Sequence, residues 1–269
     1  MTPTLSAIHV YPIKSCAPLT CGEAAVEPRG LEGDRRWMIT DPHGKFLTAR
    51  QHPRLTLIRA APKGDALALE APGMPGLRLV PPAVGARIET TVWRNTVQAL
   101  PAAAPADAWI SAYLGSPARF VYMDADCARS VNPDYGQPGD EVSFADGYPL
   151  LLISQAALDA LNARLAQPVP MLRFRPSIVV AGTGPHAEDG WKRIRVGAVE
   201  FEVVKPCTRC VFTTVDFERG AFDPSGEPLR TLTTYRRTPM GVTFGQNLIP
   251  RGRGTLRVGD ELEVLEQAL

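Results

Sequence analysis

Cys207 and Cys210 enclose Thr208 and Arg209 in the run Cys207-Thr208-Arg209-Cys210. Four kinds of chemistry suit such a pair. A structural zinc site needs about four nitrogen or sulfur ligands. There is no second cysteine pair here, and His9, His43, His52 and His186 are scattered without ligand spacing. A thioredoxin-like redox pair would open a helix, whereas Val211-Phe212-Thr213-Thr214-Val215 reads as a strand. Two buried thiols can simply pack as small hydrophobes. The fourth reading is one reactive or metal-ligating thiolate beside the Arg209 cation, a soft donor for a cofactor-borne metal. Spacing alone leaves these open.

Other candidates gather cations. Lys14 and Ser15 follow Tyr11-Pro12-Ile13, and Arg35 and Arg36 follow Asp34. Cations and hydroxyls at strand ends serve as phosphate anchors, or equally as solvated surface charges. Arg175, in Phe174-Arg175-Pro176-Ser177, enters the apolar run Ile178 to Val180. A guanidinium buried there needs an anionic partner, either a ligand or a structural carboxylate. Phe244-Gly245-Gln246-Asn247 presents two amides at a glycine turn. No GxGxxG, GxxxxGK[ST], HExxH or GxSxG run is present. The dinucleotide, P-loop, zincin and α/β-hydrolase readings therefore have no motif behind them.

These residues need elements to hold them. Leu5 to Tyr11 alternates as a strand that stops at Pro12 and delivers Lys14 and Ser15 to a loop. Arg36 to Thr40 and Lys45 to Thr48 flank Asp41-Pro42-His43-Gly44, a type I turn sequence that predicts a hairpin. Short β-like runs cut by Gly and Pro continue from Gly64 to Leu100, and Asp107 to Leu114 reads as a short helix. Residues 124 to 143, rich in Asp, Pro and Gly, read as a connecting loop or as a flap over a site. Leu150 to Ile153 is a buried-type strand, and Ser154 is a good N-cap for a helix carrying Leu158, Leu161 and Leu165. Ile178 to Ala181 is another buried strand. Two further hairpins are predicted, one around Gly197-Ala198 and one around Gly259-Asp260.

The chain has 269 residues with 45% hydrophobic and 21% charged residues, a composition of ordinary folded proteins. Its 26 Pro and 23 Gly suit many short strands better than long helices. A net charge of +1 provides no basic field for nucleic acid. No run approaches the ~18 apolar residues of a membrane span, and the first twenty residues lack a signal-peptide core. A cytoplasmic protein without a membrane span is the expectation. Five cysteines, an odd and sparse set, fit reduced thiols better than disulfides.

Taken together, the stretches Tyr11–Cys16, Asp34–Trp37, Thr48–Gln51, Phe144–Leu152, Phe174–Ile178, Cys207–Asp216, Phe244–Asn247 and Val258–Val264 resemble, in the same order, the MOSC family of molybdenum-cofactor proteins. The resemblance runs from about Leu5 to Leu265, and it is similar in pattern to the mitochondrial amidoxime-reducing components and bacterial reductases of N-hydroxylated bases. It implies a mainly β (α+β) fold of two β-barrel-like subdomains with a few short helices and a cofactor cleft between them. The N-terminal β-barrel domain would span residues 1–120 and the MOSC domain 121–269. It implies the molybdenum cofactor (Mo-molybdopterin), with Cys210 as the metal ligand and catalytic residue. Lys14, Ser15 and Arg35 match positions that hold the pterin. Asp146, Gly147 and Tyr148 match a backbone-rich pterin contact, and Thr208 and Arg209 the turn beside the metal. Arg175 would be a second anchor. Ser177 stands where relatives carry Asn, and Asn247 where some carry Tyr. Lys14, Arg35 and Arg175 are thus expected in one pocket between the two domains.

The reaction implied is reduction of amidoximes, hydroxylamines or N-hydroxylated bases to their N–H forms. Some bacterial relatives add a domain with a cysteine-ligated iron–sulfur cluster, for which this chain has no suitable cysteine set. Electrons are then expected from a separate ferredoxin-, flavoprotein- or cytochrome-type protein. MOSC modules also occur in molybdenum-cofactor sulfurases, so the alternative is a cofactor-binding or sulfur-carrier protein with a persulfide on Cys210.

Overall fold

In the computed structural model, which describes residues 2–268, Leu5, Ile8 and Val10 bury one face of the strand Thr4–Val10. That strand pairs antiparallel with Ile178–Ala181, far away in sequence. Both belong to a nine-stranded sheet ordered Leu19–Cys21, Thr4–Val10, Ile178–Ala181, Leu150–Ser154, Gly241–Pro250, Val199–Thr208, Trp191–Val196 and Leu262–Gln267, with Arg237–Thr238 also paired to Gly241–Pro250. Only Leu150–Ser154 and Ile178–Ala181 run parallel. A parallel pair needs a crossover. The helix Gln155–Asn162 and the 3-10 turn Met171–Phe174 supply it. Ser154 caps that helix through its hydroxyl, which accepts from the Ala157 amide at 3.1 Å. Leu158 and Leu161 seat it against Phe174 and Phe244, while Leu165 packs on the same cluster from beyond the helix end.

A four-stranded antiparallel sheet (Trp37–Thr40, Arg119–Tyr122, Asn95–Pro101, Ile88–Val92) carries the N-terminal half of the core. The Asp41 turn forms as expected, its carboxylate accepting from the amides of His43 and Lys45. The helix Ala104–Leu114 packs Trp109, Ile110 and Tyr113 onto this sheet's cluster. The described residues are thus mainly β with three α-helices.

Three local readings change. Val211–Thr214 forms a 3-10 turn, not a strand. The hydroxyls of Thr213 and Thr214 donate to the carbonyls of Cys210 and Val211, and this local bonding outweighs β propensity. The hairpin at Gly259-Asp260 does not form. Gly254–Arg257 pairs with Glu23–Glu27, and Leu262–Gln267 pairs with Trp191–Val196. Leu5 bonds the backbone of both Gly259 and Asp260, so the turn carries the chain from one sheet to another. Residues 124 to 143 are pinned at several points rather than lying free as a flap. Arg251 makes a two-point pair with Asp140, Arg29 pairs with Glu141, and Arg129 is buried.

Gly245 has φ +80°, and a Cβ there would meet Ile153 Cγ1 at 2.6 Å and the Leu152 carbonyl oxygen at 2.7 Å. Gly245→Ala is expected to cost about 3 kcal/mol, from left-handed strain plus a backbone clash. Urea unfolding monitored by circular dichroism measures it. Stability within about 0.5 kcal/mol of wild type, the range of an ordinary surface change, would contradict the packing described.

Candidate active site

The strand Thr4–Val10 runs into Tyr11, whose amide donates to Asp34 Oδ1 at 2.8 Å. Arg35 N returns a bond to the Tyr11 carbonyl, and Lys14 N bonds the Trp37 carbonyl. These links lock the Tyr11–Ser15 loop to the Asp34–Trp37 loop. Asp34 is fully buried and holds the Arg35 guanidinium by an ion pair. The Tyr11 ring carries two guanidiniums, Arg35 at 4.3 Å and Arg175 at 4.1 Å from its centroid. Burial pushes the Tyr11 hydroxyl up to about 12 despite those cations.

One cleft, enclosing about 800 Å³ of space partly open to solvent, gathers Lys14, Ser15, Arg35, Asp146, Gly147, Tyr148, Arg175, Ser177, Thr208, Arg209, Cys210 and Asn247. Residues from both halves of the chain therefore meet there. Six cations line it (Lys14, Arg35, Arg50, Arg173, Arg175, Arg209) against the one carboxylate of Asp146. In a chain of net charge +1, this cleft is a local excess of positive charge.

Those cations are not all satisfied by protein. Arg175 donates Nη1 to the Cys16 carbonyl at 2.8 Å, but its Nη2 is buried without a partner. Burial lowers the Arg175 guanidinium to about 10. Arg209 donates Nη2 to the Phe174 carbonyl and Nη1 to Cys207 Sγ, leaving Nε buried and unpaired. Arg173 reaches Asp216 and Asp223 only at 3.8 and 3.7 Å, and its Nη1 is orphaned. Three unpaired guanidinium N–H groups beside one cleft suit a polyanionic ligand, because leaving them bare is costly. Lys14 has two of its three N–H groups engaged, on the Phe144 carbonyl and Asp146 Oδ1, which leaves one to donate.

The backbone is strained at the same place. Ser15, Arg35 and Arg175 have φ of +70°, +49° and +56°. Three side-chain-bearing residues in the left-handed region around one cleft mark a built site rather than a random surface.

Asp146 is the negative hub. Its side chain is 58% exposed toward the cleft, with Lys14 at 2.6 Å and Arg50 at 2.9 Å. The surrounding cleft walls desolvate the carboxyl and work to raise it, but the Lys14 and Arg50 charges prevail and hold it well below the usual range. Buried Arg129 fixes its backbone by donating to the carbonyls of Ser143, Ala145 and Asp146. Burial lowers Lys14 to about 8, against the opposing pull of Asp146. Lys14 is then mostly cationic at neutral pH. Sulfate, whose own charge is constant, is expected to bind the cofactor-free cleft and to weaken several-fold between about pH 7 and about pH 9 as Lys14 loses its proton. Calorimetric titration measures this. A pH-independent affinity, or an unchanged slope in Lys14→Met, would contradict it.

Some named residues have structural partners of their own. Ser177 Oγ accepts from the Leu151 amide, closing the parallel strand pair. Asn247 Nδ2 donates to the Lys205 carbonyl. Tyr148 meets Tyr135 edge-on at 6.1 Å. Cys210 ends the strand-to-turn link after Val199–Thr208, and its Sγ accepts from Arg50 Nε at 3.3 Å. Cys207 also lines the cleft. All five cysteines are free, and among the described residues no group of three or more His, Cys, Asp or Glu side chains could hold a metal by itself. Any metal at Cys210 would bring most of its ligands with it.

Sequence reasoning missed Arg50, Arg173 and Phe212, which line the same wall. Arg50 lay inside the Thr48–Gln51 stretch, but no spacing rule connects it to Cys210, 160 residues away.

Residues 2–117 match the MOSC N-terminal beta barrel domain and residues 139–263 the MOSC domain, and the chain belongs to that family. Within it, the chain is 35% identical over 286 residues to mitochondrial amidoxime-reducing component 1 of Mus musculus, covering 98% of this chain and 83% of that one. It is 34% identical over 284 residues to the Homo sapiens protein of the same name, with coverage of 98% and 83%. Mitochondrial amidoxime reducing component 2 of Rattus norvegicus is 35% identical over 277 residues, with coverage of 96% and 82%.

Proposed function

We propose that this protein is a molybdenum-cofactor reductase of N-hydroxylated compounds: amidoximes, hydroxylamines and N-hydroxylated bases. The observation that carries the reading is the meeting of Cys210 with three unpaired buried guanidinium N–H groups at one cleft, in a chain similar to amidoxime-reducing components. In the overall reaction the N–O bond breaks, two electrons and two protons enter, and the oxygen leaves as water. The cofactor, when bound, would supply the two-electron metal chemistry.

The chain's own residues do the rest. Cys210 would offer its sulfur to the metal. Lys14, Ser15, Arg35, Arg175 and Arg209 would hold the pterin and its phosphate, joined by Arg173. Asp146, Gly147, Tyr148 and Thr208 shape the cleft wall, with Ser177 and Asn247 fixing the strands beneath. Strained backbone at Ser15, Arg35 and Arg175 pre-sets donors before the ligand arrives, which lowers the ordering cost of binding.

In this reading the electrons come from a separate ferredoxin-, flavoprotein- or cytochrome-type protein. Among the described residues no helix is long and apolar enough to cross a membrane. Cofactor-loaded protein is expected to reduce benzamidoxime to benzamidine with a reduced viologen dye, yet to stay inactive with NADH alone. Robust turnover with NADH and no second protein would contradict the partner. Sulfane sulfur on Cys210 in protein that never acquires molybdenum would favour the sulfur-carrier role instead.

A further inference from the structure

Among the described residues, Arg50 is the cleft cation that hydrogen-bonds Cys210 Sγ. Its Nε donates to Cys210 Sγ at 3.3 Å, and its Nη2 donates to Asp146 Oδ2 at 2.9 Å. The guanidinium lies over the Trp93 indole, 4.6 Å from the ring centroid. A side chain with this much rotamer freedom is therefore held from three directions by three different segments. Its backbone is held too. The Arg50 amide donates to Thr48 Oγ1, while Gln51 Oε1 accepts from the amide and hydroxyl of Thr48.

Trp93 is an unusual support. It sits at the turn between Ile88–Val92 and Asn95–Pro101 with φ +55°, a conformation bulky residues seldom adopt. Trp93 is 44% exposed. That geometry lets one ring do three things: pack on Phe46 at 5.2 Å, carry Arg50 on its face, and donate Nε1 to Asp146 Oδ1 at 3.2 Å. Asp146 is thereby held by Lys14, Arg50 and Trp93 at once.

We infer that Arg50, backed by Trp93, is a positioning residue that aims the Cys210 sulfur and screens it from the Asp146 carboxylate. The inference rests on the proposed role of Cys210, and it adds residues outside the set that sequence reasoning supplied. An N–H aimed at a sulfur fixes its rotamer, and such outer partners orient a ligand atom and set the charge it faces. Without Arg50, the sulfur would face a carboxylate whose second oxygen had lost its cation.

Alkylation of the cofactor-free protein at one fixed pH tests this, with Cys210 and Cys207 followed separately by peptide mass spectrometry. Two probes are used, anionic iodoacetate and neutral iodoacetamide. Arg50→Gln is expected to slow iodoacetate at Cys210 by about tenfold, the fold-change of one charge-assisted hydrogen bond, and to slow iodoacetamide less. The iodoacetate-to-iodoacetamide ratio at Cys210 then falls, while the ratio at Cys207 changes little. Arg50→Lys keeps the charge and should retain most of the ratio, which also guards against a misfolded Arg50→Gln. Trp93→Ala should lower the ratio by a smaller factor, with no further fall when combined with Arg50→Gln. An unchanged ratio at Cys210 in Arg50→Gln would overturn the inference, as would an equal fall at both cysteines. Because no cofactor is present in the assay, absence of molybdenum from the wild-type protein would sink the cofactor reading and leave this result intact.

Discussion

Cys210→Ser is expected to purify with no molybdenum and to lose N-reduction entirely, while Cys207→Ala keeps most of both. Both residues line the cleft, so the difference lies in their partners. Cys210 Sγ meets Arg50 and sits at the link into the 3-10 turn Val211–Thr214, whose Thr213 amide and hydroxyl both bond the Cys210 carbonyl. Cys207 Sγ accepts from Arg209 and donates weakly to the neighbouring Thr208 carbonyl at 3.8 Å, and Arg209 remains anchored by Phe174 when the thiol is removed. A serine hydroxyl is a harder and far less acidic ligand than a thiol, so it does not replace Cys210. Cys207→Ala should cost about threefold in cofactor retention, the scale of one modest neutral contact. Molybdenum content and single-turnover reduction, measured side by side, decide. Equal loss in both variants would mean a two-thiol centre.

Arg175→Met is expected to move stability and cofactor retention in opposite directions. Arg175 is 8% exposed, pairs with no carboxylate, and keeps one N–H group bare. Its surroundings are the Tyr11 ring, the Phe212 ring at 5.2 Å and the Cys16 carbonyl. An unpaired buried charge is costly, and burial already draws its proton affinity down to about 10. Replacing it by an apolar side chain of similar length should stabilise the cofactor-free protein by about 1 kcal/mol. The same change should lower cofactor retention by at least about tenfold, since one charge-assisted donor to the phosphate is lost. Thermal unfolding and molybdenum content measure the two effects. A loss of stability with retention unchanged would show that Arg175 serves the core alone.

Much of this site is legible from residue types. Lys14, Arg35 and Arg175 are cations at the ends of apolar runs, where burial without a partner is costly, and they do meet in one cleft. The elements delivering them follow from alternation and capping: the strand ending at Tyr11, the Asp41 turn, and Ser154 at its helix. What escapes is long-range or hydroxyl-driven. Arg50 reaches Cys210 only because the two halves of the chain fold together. Val211–Thr214 has strand composition, but threonine hydroxyls close a turn. The Gly259-Asp260 turn looks like a hairpin until Leu5 claims its backbone and separates the flanking strands. Arg129 sits in a polar stretch that gives no sign of burial, yet it anchors the backbone of Asp146.

Elemental analysis for molybdenum tests the central claim most directly. The protein should be expressed in a host that makes the cofactor, purified without added metal, and compared with Cys210→Ser prepared in parallel. The account predicts close to one molybdenum per wild-type chain and none in the variant. Wild-type protein with an intact fold and no molybdenum, or a Cys210→Ser variant that retains the metal in full, would contradict it.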